Sequence, residues 1–166
     1  EGIQGALVSH GSSTVPRYIV EEINALGGNI QNAYGISKEE LKAAIPCGIG
    51  KINVDTDIRL AVTRNFRELF RDHPELKDDP KAGGVWKLLD EKRDAFDPRA
   101  FLAPIMDTVM YGAGDEGAVA RITDAMRRGV KEAVGTLIVE FGSYGKAPLV
   151  EPATLEDMAA RYAKEG

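Results

Sequence analysis

The sequence holds one cysteine, Cys47, and two histidines, His10 and His73, among 166 residues. A single thiol excludes an intrachain disulfide framework and suits a reducing compartment. The same scarcity leaves this chain, by itself, short of the three or four ligands that zinc takes. No run approaches the ~18 apolar residues of a membrane span, and no charged-then-apolar segment opens the chain. Lys and Arg number 21 against 26 Asp and Glu, for a formal charge of −5. That balance argues against a broad nucleic-acid surface, which shows clustered basic residues. Internal repeats and low-complexity segments are absent too. The expectation is one soluble, cytoplasmic globular domain whose core draws on 43% hydrophobic residues.

Strand-forming runs are also few. Leu7-Val8 is one, and the loop His10 to Val15 follows it. Pro16 suits a first helical position, where its missing N–H costs nothing. Ile19, Ile23 and Leu26 recur at helical spacing until Gly27-Gly28 ends the pattern. A second helix opens at Ser37, with Glu40 completing a capping box, and stops before Pro46. Lys51 to Val54 is the second strand, ending in Asp55-Thr56-Asp57, and a helix from about Ile58 to Phe70 follows. Strand, helix, strand, helix implies parallel strands with crossover connections, the α/β class.

Beyond Phe70 the text changes. Asp72 to Lys81 is polar, carries Pro74 and Pro80, and reads as a loop or surface excursion. A short helix is expected around Val85 to Leu89. Asp97-Pro98-Arg99 marks another helix start, continuing through Leu102, Ile105, Met106 and Val109. Gly112 to Gly117 interrupts it, a long helix from about Ala118 to Glu140 follows, and Phe141-Gly-Ser-Tyr-Gly145 ends that helix. A last helix begins at Thr154, with Asp157 in its first turn. The Met and aromatic positions Met106, Met110, Phe66 and Phe70 sit at core spacing.

Two parallel strands cannot bury both faces or satisfy both edges. With Gly2-Ile-Gln-Gly-Ala-Leu-Val8 reading as the approach to a buried strand, the chain is expected to begin in mid-fold as part of a larger sheet.

Each strand is followed by a loop with chemical potential: His10-Gly-Ser-Ser-Thr14 and Asn53-Val-Asp-Thr-Asp57. Both place small or hydroxyl residues at a helix start, where free backbone N–H groups and the helix dipole make an anion site. In a (β/α)8 barrel the loops after strands seven and eight often hold a phosphate in this manner. Plain helix capping is an equal reading of the same residues. His10, at a strand's C-terminal end, stands where barrel enzymes keep catalytic residues, although a lone histidine is more often a hydrogen-bonded core or surface residue. His73 precedes Pro74 in a polar stretch with nothing to place it near a strand end. Asn53 is an uncharged donor suited to a developing oxyanion, or a turn-forming residue. Arg59 and Arg99 are candidates for bidentate phosphate contacts, against the common case of a solvated arginine. Asp97 before Pro98 is a natural helix cap.

The pair "LVSHGSSTVP" and "KINVDTDIRLA", with "FDPRAFL", "EFGSYGKA" and "LEDMAARYAKEG" after it, resembles the C-terminal part of class II fructose-bisphosphate aldolases. The likeness is to the branch with an extended segment between the HGSS and NVDTD motifs. It covers most of the chain, less clearly around Asp72 to Asp94 and Tyr111 to Val119. Those stretches look longer than the family pattern, and insertions there would alter subunit contacts or the distal-phosphate region.

The resemblance implies the C-terminal portion of a TIM (β/α)8 barrel with additional C-terminal helices. Residues 1–70 would be the last two βα units, and 71–166 an insertion and the terminal helices. It implies that His10 is one of three histidine ligands of a catalytic Zn2+, from strand seven, another divalent metal being an alternative. Gly11 and Ser13 would contact the dihydroxyacetone phosphate group, and the Gly11 carbonyl a monovalent cation, Na+ or K+. Asn53 would hydrogen-bond the substrate's reacting oxygens, and Asp55 and Thr56 would complete the phosphate cradle through backbone N–H groups. Arg59 and the Asp97–Arg99 pair would recognise the far phosphate, the pair reaching into a neighbouring subunit. The other two zinc histidines and the proton-transferring Asp would lie upstream of this chain.

The implied function is reversible aldol cleavage of fructose 1,6-bisphosphate to dihydroxyacetone phosphate and glyceraldehyde 3-phosphate, in a dimer or tetramer and with the N-terminal part of the enzyme. Zinc would act as a Lewis acid in that reaction. Two alternatives stand beside it: a non-catalytic phosphate-binding or assembly fragment, and an aldolase for tagatose or sedoheptulose bisphosphate.

Overall fold

The two expected strands pair in parallel and are the only strands among the residues that the computed structural model describes, 5–11, 13–150 and 153–165. Gly2 to Gln4, at the start of the expected strand approach, and Ser12 of the first loop lie outside those residues. Strand β1 (Leu7–Ser9) leads into α1 (Arg17–Ala25) and α2 (Lys38–Ala44) before β2 (Ile49–Ile52) returns beside it. The register sets Leu7 opposite Ile49, Val8 opposite Lys51 and Ser9 opposite Ile52, with an irregularity after Leu7. The second strand therefore starts and ends two residues earlier than expected. A turn closed by Gly48, with φ +104°, delivers the chain straight onto β1. Asn53 follows the strand, and its N–H donates to the Ser9 carbonyl.

Local signals mark the starts of α1 and α2. Pro16 sits one position before α1, as its N-cap rather than its first helical residue. Ser37 and Glu40 form the expected capping box on α2. Helix α3 (Thr56–Asp72) follows β2. Its residues Leu60 and Ala61 pack with Ile19 and Ile23 of α1, while Phe66 and Phe70 enter a larger cluster further along.

The stretch 72–81, expected to be a surface excursion, and the helix expected around Val85 to Leu89 both add to that larger cluster. Pro74–Asp78 forms a 3₁₀ turn with Leu76 buried, and α4 (Ala82–Glu91) buries Val85 and Leu89 against Phe66 and Phe70. Polar residues dominate this stretch because only one side of each short turn faces inward. Asp97 does cap a turn, but Pro104 breaks the helix expected through Val109 into two 3₁₀ turns and a short α5 (Met106–Tyr111). Met106 and Met110 are 39% and 62% exposed, so the expectation of core positions for them is overturned; Phe66 and Phe70 are fully buried. A helix interrupted at Pro104 no longer keeps these methionines on the inward face.

α6 (Gly117–Glu140) lies along α3, and α7 (Leu155–Glu165) follows as an amphipathic helix with Leu155 and Tyr162 exposed. Leu7 and Val8 of β1 are 42% and 47% exposed, so the sheet is covered only in part. No helix among the described residues is long and apolar enough to cross a membrane.

Candidate functional site

Parallel pairing brings both strand ends to one edge, and the two expected loops meet there. The side-chain nitrogen of Asn53 lies 2.9 Å from Nδ1 of His10. As an amide NH2 it donates to an unprotonated Nδ1; with the amide turned over, its oxygen accepts from Nδ1–H. His10 is exposed, and its other ring nitrogen makes no hydrogen bond among the described residues. Gly11 adopts φ +66° and turns the chain immediately after it.

The first turn of α3 faces this loop. A helix begins with backbone N–H groups that lack intrahelical partners. Here the N–H groups of Asp55 and Thr56 donate to Ser13 Oγ, at 3.2 and 3.0 Å. The cap on α3 thus comes from a residue more than forty positions earlier, while the Asp55 side chain caps nothing. This is capping, one of the two readings that the sequence leaves open.

Sequence reasoning passed over Asp57. It is 4% exposed, and its carboxylate accepts from the Thr14 N–H, the Thr14 hydroxyl and the Val15 N–H at 3.1, 2.7 and 2.8 Å. An acid in a helix's first turn is ordinary complementarity to the dipole, so nothing in the sequence distinguished this one. Gly35 was also passed over. A Cβ there would stand 2.4 Å from the Ser13 carbonyl oxygen, and the neighbouring Ile36 N–H donates to that same oxygen.

Arg59, one turn into α3, turns back to Asp55 through Nε at 2.8 Å and reaches Asp97 through Nη1. Arg99 forks onto Asp97, with Nε 2.9 Å and Nη2 2.5 Å from Oδ2. Hydrogen bonds from the Arg99 side chain, aided by the charges of Arg59 and Arg99, hold the Asp97 carboxyl at about 2. Asp55, Arg59, Asp97 and Arg99 therefore form one ion-pair chain beside the loops, and within this chain Arg99 meets Asp97. His73 stays apart: it follows the last residue of α3 and contacts Glu75, about 25 Å from the loops by the rise of a helix.

Among the described residues no group of three His, Cys, Asp or Glu side chains is placed to hold an ion. His10 alone fits as a contributor: an exposed imidazole at a strand end, oriented by Asn53 in the way that outer groups orient metal-bound histidines.

The chain is similar to known proteins over most of its length. Residues 3–146 match the family described as fructose-bisphosphate aldolase class-II. Over 157 residues the chain is 35% identical to fructose-bisphosphate aldolase of Xanthobacter flavus, covering 95% of this chain and 33% of that protein. Fructose-bisphosphate aldolase class 2 of Synechocystis is 34% identical over 158 residues, again 95% of this chain and 33% of the relative. The fructose-bisphosphate aldolase of Thermus caldophilus is 35% identical over 145 residues, 87% of this chain and 34% of that protein. The chain thus spans about a third of the length of the curated relatives it matches. It belongs to the class II fructose-bisphosphate aldolase family.

Proposed function

We propose that this chain is the C-terminal portion of a (β/α)8 barrel and contributes one side of the site for reversible aldol cleavage of fructose 1,6-bisphosphate. In this reading residues 1–70 are the last two βα units, and 71–166 an insertion and the C-terminal helices. The partly exposed two-stranded sheet is what such a barrel would continue. The observation that carries the reading is the meeting of the two strand-end loops, with Asn53 on His10 and Ser13 on the N–H groups of Asp55 and Thr56.

The residues then divide by task. His10 is one ligand of a zinc ion whose remaining ligands come from the rest of the protein, and the ring nitrogen away from Asn53 is the one offered to it. Zinc, when bound, supplies a Lewis acid for the ketose carbonyl. Asn53 directs an amide N–H toward the oxygens on which charge develops. Gly11 and Ser13 bind the phosphate nearer the cleaved bond, and the N–H groups of Asp55 and Thr56 turn from the Ser13 hydroxyl to complete its cradle when it enters. The Gly11 carbonyl holds a monovalent cation. Arg59, Asp97 and Arg99 recognise the distal phosphate; Arg59 keeps part of its five-donor fork for it after meeting Asp55 and Asp97. A cytoplasmic homo-oligomer of two or four copies belongs to the same reading.

The experiment uses the full-length protein. Zinc stoichiometry and cleavage of fructose 1,6-bisphosphate are measured for wild type and His10→Ala. The variant is expected to lose zinc and nearly all turnover. Normal zinc content with normal turnover in the variant defeats the assignment, and wild-type protein that takes up no zinc and cleaves no ketose bisphosphate defeats the enzyme reading altogether.

A further inference from the structure

Three donors converge on a single buried carboxylate, Asp57, and all three come from Thr14 and Val15. Thr14 and Val15 lie at the far end of the loop that starts at His10. Val15 adopts φ +48°, a left-handed conformation that a β-branched residue takes only under constraint. The Val15 N–H is one of the groups held by Asp57, at 2.8 Å from Oδ1. From the other side, the close backbone of Gly35 and the Ile36 N–H back the Ser13 carbonyl. The loop is therefore clamped between α3 and the segment before α2.

We propose that Asp57 is a positioning residue for the phosphate-binding half of the site. It fixes Thr14 and Val15 in their strained path, so that the Ser13 hydroxyl meets the N–H groups of Asp55 and Thr56. The proposal rests on the phosphate-binding reading given above. Asp57 does not touch the ligand. Both of its oxygens are committed to the loop, and a bare carboxylate this close to a phosphate would repel it. Three donors spread that charge into the loop instead.

The side chain must be an acceptor at both ends. In Asp57→Asn one oxygen becomes an NH2 that opposes an N–H or O–H donor, so at least one link to Thr14 or Val15 is lost. A hydrogen bond to a charged group carries enough free energy for a ~10-fold or larger change in an equilibrium.

The test compares full-length wild type with Asp57→Asn, Thr14→Val, Thr14→Ser and Leu89→Ala, the last being a remote core change that lowers stability. The readouts are amide hydrogen exchange at Thr14 and Val15, binding of inorganic phosphate by calorimetry, and the thermal midpoint. Asp57→Asn is expected to speed exchange at both amides and to weaken phosphate binding, each by ~10-fold or more. Thr14→Val should weaken binding by ~3-fold, and Thr14→Ser, which keeps the hydroxyl, should stay within ~2-fold of wild type. Leu89→Ala should lower the midpoint and leave phosphate binding unchanged.

Phosphate binding by Asp57→Asn equal to wild type overturns the proposal and leaves the aldolase reading intact. Weakened binding without faster exchange at Thr14 and Val15 overturns it as well. So does an equal loss of affinity in Leu89→Ala at the same midpoint, which would make the effect one of global stability. Wild-type protein that binds no phosphate overturns both the proposal and the phosphate-binding reading.

Discussion

The amide of Asn53 lies 2.9 Å from Nδ1 of His10, so the residues ending the two strands are joined through their side chains. One is exposed and suited to a metal; the other is suited to a developing negative charge. If they divide the work as proposed, their loss has different signatures. In the full-length protein Asn53→Ala should retain zinc and lose ~10²–10³-fold in turnover, the usual cost of removing one oxyanion donor. Metal analysis alongside steady-state rates checks this. Turnover within a few-fold of wild type would remove Asn53 from the reaction.

Gly35→Ala probes the loop from its other side. The added Cβ would stand 2.4 Å from the Ser13 carbonyl oxygen and 2.5 Å from that of Thr14, both backbone atoms. Backbone must move, at a cost of about 1–3 kcal/mol typical of overpacking. A lowered thermal midpoint is expected together with a raised KM for the phosphorylated substrate. An unchanged KM would show that the loop tolerates displacement.

Asp97 sets an acid limit. Its carboxyl sits at about 2 rather than at the ordinary 3.8. A depressed acid contributes stability that is full above the unfolded value and fades as pH falls through the folded one. The contribution of Asp97 should therefore disappear between about pH 4 and about pH 2. Thermal midpoints measured from pH 5 to pH 2 should fall more steeply for wild type than for Asp97→Asn. Parallel curves would show that Arg59 and Arg99 gain nothing from the pairing.

Two glycines in α6 should respond in opposite ways. A Cβ on Gly129 would lie 2.7 Å from Val62 Cα, whereas one on Gly135 would meet nothing within 4 Å. Gly129→Ala must push α3 and α6 apart and should cost about 1–3 kcal/mol. Gly135→Ala should add up to about 1 kcal/mol through helix propensity. Urea unfolding of both variants distinguishes a packed crossing from a loose one.

What the sequence disclosed, and what it concealed, follows from the range of each interaction. Ser37 and Glu40 were readable because a capping box closes within four residues. The two strand-end loops were readable because each sets small, hydroxyl or acidic residues between a strand run and a helical pattern. Asp57 was not, since its partners lie 42 and 43 residues earlier and its position in α3 looks like routine dipole complementarity. Gly35 was hidden for the same reason: its need arises from a backbone that the local sequence does not contain. Leu76 was obscured by polar neighbours, and Met106 and Met110 by a helical period that Pro104 interrupts. For the zinc centre the limit is chemical, because one imidazole does not make a coordination sphere.

α3 begins under the loops and ends in the larger hydrophobic cluster, with Leu60 and Ala61 in one core and Phe66 and Phe70 in the other. Site and core are therefore in mechanical series along one rod of 17 residues. An anion held at the front of that rod favours only molecules in which the rod is formed. At a hundredfold excess over its dissociation constant such a ligand adds about 2.7 kcal/mol to the folded state. The residues around Phe70 would feel that addition without touching it, so occupancy of the site can be read as heat resistance in a part of the molecule that never meets the substrate.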